Sequence, residues 1–232
     1  SISSASQFEA QLIKIQTLAG ENQTQTNAWR GDIRAMAVDV GIGPNELAKA
    51  LYNISSNGQH GAAALAILRN SAEASAIGLG DVATVARAVT GAVNAYAQSG
   101  LSAAHATDIL TATVKLGGAE AEEIAPVLGR VAGVAATVGV SFDQVGAFIA
   151  TFTRVGVGAD EAVTALRGSL AALELKGAGP AGKALAGVGY SVRQLRADIQ
   201  EKGSNLHLST GLSLYRQDYR LEELLLALVT LL

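Results

Sequence analysis

The sequence contains no cysteine. Disulfides, thiolate metal sites and cysteine nucleophiles are excluded together, and the redox compartment is left undetermined. Aromatic residues make up only 4% of the chain, so a core has to come from Ala, Val, Leu and Ile, whose small side chains let helices approach closely. Charged residues reach 16%, against a usual share of roughly 25%. The surface must then lean on Ser, Thr, Asn, Gln and Ala, which suits a chain packed against partners. The net charge is −3 and no basic cluster stands out, so the electrostatic footprint of a nucleic-acid binder is missing. No uncharged apolar run reaches the length of about 18 residues that a membrane span needs. The nearest, residues 131–153, is interrupted by Asp143 and Gln144 and reads as two packed helices with a turn at Gly139 to Ser141. No secretory pattern opens the chain, and a start on Ser1 rather than Met leads us to expect a fragment or processed product.

What remains is enough for a core. The chain has 232 residues and 49% hydrophobic content, room for one large or two small domains. Apolar residues recur in steps of three and four almost throughout, strand signals are nearly absent, and the expected fold class is all-α, built of packed short helices and helical hairpins with glycine-marked turns. The centre of the pattern is residues 109–175, four short helices separated by Gly117-Gly118, Gly139-Val140-Ser141 and Gly156-Val157-Gly158. The second carries a stripe of Ile124, Val127, Leu128, Val131, Val134 and Val138. The third carries Phe142, Val145, Phe148, Ile149, Phe152 and Val155, and the fourth Val163, Leu166, Leu170 and Leu173. Helices this short cannot bury such stripes alone, so they must pack on each other. Phe142, Phe148, Phe152, Leu166 and Leu170 are the expected core residues.

Upstream, a helix over 4–19 places Phe8, Leu12 and Ile15 on one face and stops at Gly20. Trp29, Ile33, Met36 and Val40 mark a second over 22–40, and Gly41-Ile42-Gly43 breaks it. Pro44 suits the first turn of a third helix, with Leu47, Leu51 and Ile54 on its stripe and Asn57-Gly58 closing it. An Ala-rich helix over 61–76, ended by Gly78-Leu79-Gly80, and a helix over 82–97 capped by Asp81 follow. Ser102 opens the next helix, and Ser141 with Gln144 makes a capping box. Thr111, Thr113, Gly118, Ala119 and Ala125 recur as Thr151, Thr153, Gly158, Ala159 and Ala165, an echo at an offset of 40. That is a helical-hairpin repeat length. The preceding part does not keep the period, so the expectation is stacked hairpins rather than a true solenoid. The expected divisions are an N-terminal helical pair at 1–43, a helical core domain at 44–175, a Gly-rich hinge with a short helix at 176–203, and an apolar C-terminal helix at 204–232. In that last segment Leu224, Leu225 and Leu226 are candidate partner contacts.

The candidate residues for chemistry read as structural. Residues 177–183 literally satisfy both GxGxxG and GxxxxGK, but a helix precedes them where a phosphate loop needs a strand, and Ala184 stands where a magnesium-binding hydroxyl is required. Glu120, Glu122 and Glu123 occupy the first turn of a helix, where carboxylates favour the dipole. His60, His105 and His207 are far apart and read as surface or capping residues, as do Asp108, Asp160 and Asp198. No catalytic set, cofactor site or metal site is expected.

The ordered set of Glu46-Leu47-Ala48-Lys49-Ala50-Leu51-Tyr52, Ser55-Ser56-Asn57-Gly58, Asn94-Ala95-Tyr96, Ala106-Thr107-Asp108, Gly139-Val140-Ser141 and Thr164-Ala165-Leu166-Arg167, closed by residues 187–203, resembles the core domain of phage tail tape measure proteins, the phage minor tail protein family. The likeness covers about residues 4–203, and residues 204–232 depart from it. It implies a non-enzymatic structural protein of a long-tailed phage or prophage, one that sets tail length, scaffolds tube assembly and leaves ahead of the DNA at infection. The implied location is the virion tail, with the bacterial cytoplasm during assembly. The implied partners are tail tube and tail-tip proteins and tail assembly chaperones, with self-association and contact with the host membrane during infection as further candidates and no sequence-specific nucleic-acid binding. The rival readings are a membrane-active helical protein, from the apolar segments 124–155 and 221–232, and a helical-repeat adaptor unrelated to phage.

Overall fold

The computed structural model describes residues 2–174. Among them are nine α-helices and no strand: α1 (Ile2–Leu18), α2 (Gln23–Val40), α3 (Pro44–Ser56), α4 (Gly61–Ala76), α5 (Val82–Ala95), α6 (Ala103–Leu116), α7 (Ala121–Val138), α8 (Phe142–Arg154) and α9 (Ala159–Glu174). The expected hinge at 176–203 and the apolar segment at 204–232, with Leu224, Leu225 and Leu226, lie outside the described residues.

Local chemistry sets the helix ends. Asn22 accepts from the Gln25 N–H at 2.8 Å, Asp81 from those of Ala83 and Thr84, and Ser102 from that of His105. Each supplies an acceptor to donors that the first turn leaves orphaned. Ser141 and Gln144 close a full capping box. Gly139 ends α7 at φ 84°, a left-handed conformation that costs glycine nothing. Pro126 sits inside α7, where it removes one helical hydrogen bond; it is on the exposed face, so the carbonyl it orphans can meet water.

Helix α5 stops at Ala95, two residues before the expected end, and a single 3-10 turn (Ala97–Ser99) follows. The reason is Tyr96, whose ring is buried against Phe142 and whose hydroxyl donates to the Val140 carbonyl at 2.8 Å.

The helices form two layers. In one, α1, α3, α5, α7 and α9 pack in succession; in the other, α2, α4, α6 and α8 do. Every substantial helix–helix contact is between neighbours in sequence or next-but-one neighbours. This is the topology of a stack of helical hairpins, each touching only the hairpins beside it. After α1, the helices of the first layer begin at Pro44, Val82, Ala121 and Ala159, steps of 38, 39 and 38 residues. The stacking legible at 109–175 therefore reaches back to the start of the chain. One hydrophobic cluster between the layers runs from Phe8 to Leu170, across the junction at residues 43 and 44.

Within it Phe142, Phe148, Leu166 and Leu170 are buried. Phe152 is only half-buried: it stacks on Phe148 with ring centroids 4.4 Å apart, at the rim of the cluster. Val155, placed on the same stripe by its spacing, is exposed. It lies one residue past α8, where Gly156, at φ 90°, turns the chain away.

Candidate functional site

Among the described residues, no group of three or more His, Asp or Glu side chains is arranged to hold a metal ion. Glu120 is the N-cap residue of α7 and its carboxylate makes no capping bond, while Glu122 and Glu123 follow in the first turn. The Glu122 carboxylate lies over the α4–α5 turn, where a β-carbon on Gly80 would come within 3.0 Å of it. Asp160 pairs with Arg130 of α7, and Asp108 is exposed. The glycine-rich stretch at 177–183, His207 and Asp198 lie outside the described residues.

The two described histidines do something the sequence does not reveal: each joins consecutive hairpins. His60, in the α3–α4 turn, sits with Nδ1 2.8 Å from the buried Glu21 carboxylate of the α1–α2 turn. His105 of α6 brings Nε2 within 3.2 Å of Asp143 Oδ1 at the start of α8, a close approach that misses hydrogen-bond alignment.

Other polar groups bridge hairpins in the same way. The Gln59 amide donates to Asn94 Oδ1 at 2.6 Å, and Asn94 Nδ2 donates to the Asn57 carbonyl at 2.8 Å. Tyr96 reaches Val140 from the α5–α6 turn to the α7–α8 turn. Burial, and behind it the Asp143 charge, push the Tyr96 phenol above its ordinary value of 10.0. It is a neutral donor at any physiological pH. These links all run between positions about one hairpin apart in sequence. Hydrogen bonds to partners in the next hairpin fix register along the stack, because a slip would leave the buried Tyr96 hydroxyl and Glu21 carboxylate unpaired. The arrangement ties each hairpin to the next along the stack.

Against this geometry the sequence comparisons become specific. Residues 30–209 match the family described as "Phage-related minor tail protein". The chain belongs to that family. The match starts within α2 and extends past α9, so it takes in most of the stack. Two curated phage proteins are similar. One is the "Tape measure protein" of Pneumococcus phage Dp-1, 26% identical over 174 residues, which cover 73% of this chain and 15% of that protein. The other is the "Probable tape measure protein" of Clostridium phage phiCD119, 25% identical over 145 residues, 61% of this chain and 15% of that protein. The chain thus spans about 15% of the length of these minor tail relatives. No solved structure matches it. As a family member it is a structural component of a phage tail. Among the described residues, no helix is long and apolar enough to cross a membrane.

Proposed function

We propose that this chain is a folded domain of a tail tape measure protein. On this reading its parent sets tail length, scaffolds polymerisation of the tail tube and is released ahead of the DNA at infection. The observation that carries the reading is that the helical stack falls largely within residues 30–209, the minor tail family match, in a chain that is 26% identical over 174 residues to the tape measure protein of phage Dp-1. The domain itself is not the ruler. A straight helix advances about 1.5 Å per residue, so a linear gauge needs long uninterrupted helices. Among the described residues the longest helices have 18 residues and fold back at each turn. The gauge belongs to other parts of a longer parent, and this stack supplies a body with a fixed surface. Its role is assembly rather than catalysis, and its partners are tail tube and tail-tip proteins and tail assembly chaperones, met in the bacterial cytoplasm before the virion is complete.

Disrupting the coding sequence in the phage or prophage that carries it, then imaging particles by negative-stain electron microscopy, tests the reading. Tailless particles, or tails of abnormal length, are expected. Tails of normal number and length would overturn it.

A further inference from the structure

Four large aliphatic side chains are left in solvent on the second layer, and they keep a strict period. Val38, Ile77, Leu116 and Val155 are 84%, 76%, 52% and 75% exposed. Each follows the last by 39 residues. Each also stands near the C-terminal end of its helix: Val38 in the last turn of α2, Ile77 as the C-cap of α4, Leu116 as the final residue of α6 and Val155 as the C-cap of α8. These four helices pack in succession, and α6 and α8 lie with their C-terminal ends together, since the Gly118 N–H reaches Thr153 Oγ1 at 3.4 Å. The four side chains therefore form a row along one edge of the stack, at the turns leading into α3, α5, α7 and α9. Single exposed aliphatics are ordinary, but one per repeat at one place is a patterned surface.

We infer that this row is the docking edge for the chain's own C-terminal segment, residues 221–232. Three observations point to it. The first is spacing: packed helices lie roughly 8–10 Å apart, and seven residues of helix advance about 10.5 Å, so a helix laid along the row meets it once every two turns. In 221–232 leucines recur at that interval, Leu221 with Leu228 and Leu225 with Leu232, and such a helix of about 18 Å covers Val155, Leu116 and Ile77. The second is charge: Lys115 stands in the last turn of α6, beside Leu116, and Glu222 and Glu223 open the segment. The third is size and reach. Four side chains fall well short of the roughly 800 Å² per partner that a stable complex buries, which argues against a second copy. A tethered segment needs less, because its tether supplies a high local concentration. The 46 residues between α9 and Leu221 span roughly 40 Å even as a coil, enough to reach the row.

Because the chain has no cysteine, engineered pairs report alone. In the full 232-residue chain, Leu116→Cys with Leu228→Cys should form an intramolecular disulfide at least tenfold faster than Ser99→Cys with Leu228→Cys, since Ser99 is exposed at an odd-to-even turn on the opposite edge. Adding Leu225→Asp to the first pair should abolish the advantage. Equal rates for the two pairs, an advantage that survives Leu225→Asp, or disulfides formed only between chains would overturn the assignment, the last in favour of a second copy.

Discussion

In the first two hairpins the space between layers is filled by large side chains: Phe8, Leu12, Trp29, Ile33, Met36, Leu47 and Leu51 are all buried, most of them completely. Gly31, within α2, has nothing within 4 Å of where a β-carbon would be. In the later hairpins the helices close on each other through missing side chains. A β-carbon on Gly91 of α5 would lie 3.7 Å from the Gly129 α-carbon of α7. One on Gly146 of α8 would lie 2.5 Å from Thr113 Oγ1 and 2.8 Å from Ile109 Cγ2 of α6. The same two-layer topology is thus reached by bulk in one region and by close approach in the other. The repeat resides in helix lengths and stacking order, and each interface solves its packing with whatever residues it has.

That contrast is broken most strongly in the first region. Trp29→Ala removes its largest fully buried side chain and should cost about 3–5 kcal/mol in urea unfolding. Trp29→Phe should cost far less, because the Trp29 indole N–H has no hydrogen-bond partner among the described residues and its removal relieves an unpaired buried donor. A loss below about 1 kcal/mol for Trp29→Ala would mean that bulk does not hold this region together.

In the later region the sensitive direction is reversed. Gly146→Val puts carbon where Thr113 and Ile109 already stand, and Thr113 is fixed by its own bond to the Ile109 carbonyl at 2.7 Å. Neither neighbour can give way cheaply, so α6 and α8 must separate. A loss of at least about 1–3 kcal/mol is expected, and unchanged stability would show that the close approach is not needed.

Much of this architecture is legible in sequence because its signals are local. Asp81, Ser102 and Ser141 stand at N-cap positions, and the glycines at 41, 117 and 139 mark where helices stop. The stripe positions follow from period, and Val155 departs only because a stripe continues on paper past the residue where the helix ends. The stack before residue 109 was not legible, since the echo at an offset of 40 is out of register with a helix spacing of 38 to 39 residues and does not continue upstream. The links through His60, His105 and Tyr96 were not legible either. Their partners Glu21, Asp143 and Val140 are 38 to 44 residues away, and nothing in their own surroundings announces a partner.

The Tyr96 link carries a smaller and pH-dependent effect. Tyr96→Phe leaves the Val140 carbonyl without its donor and should cost about 1 kcal/mol at neutral pH. The folded state raises the phenol above 10.0, so it favours the protonated form. The stabilisation is complete below that ordinary value and is lost as pH rises above it toward the folded value. Unfolding midpoints measured from pH 7 to 11 should therefore fall at the alkaline end in the parent chain, and less in Tyr96→Phe. Parallel curves would show that the hydroxyl is not protected by the fold.

The smallest effect separates glycine as a packing residue from glycine as a flexible one. Gly31 in α2 and Gly133 in α7 are both exposed, both inside helices, and both clear of any neighbour within 4 Å. Neither needs a left-handed backbone, because neither is among the positive-φ glycines. An added methyl meets nothing in the folded state and narrows the conformations open to the unfolded chain. Gly31→Ala and Gly133→Ala should each stabilise by about 0.5–1 kcal/mol, in both regions alike. Gly146→Ala should move the other way, since even a methyl there collides with Thr113. If all three alanines stabilise, α6 and α8 can move apart at little cost, and the difference between the two regions is one of composition and not of packing.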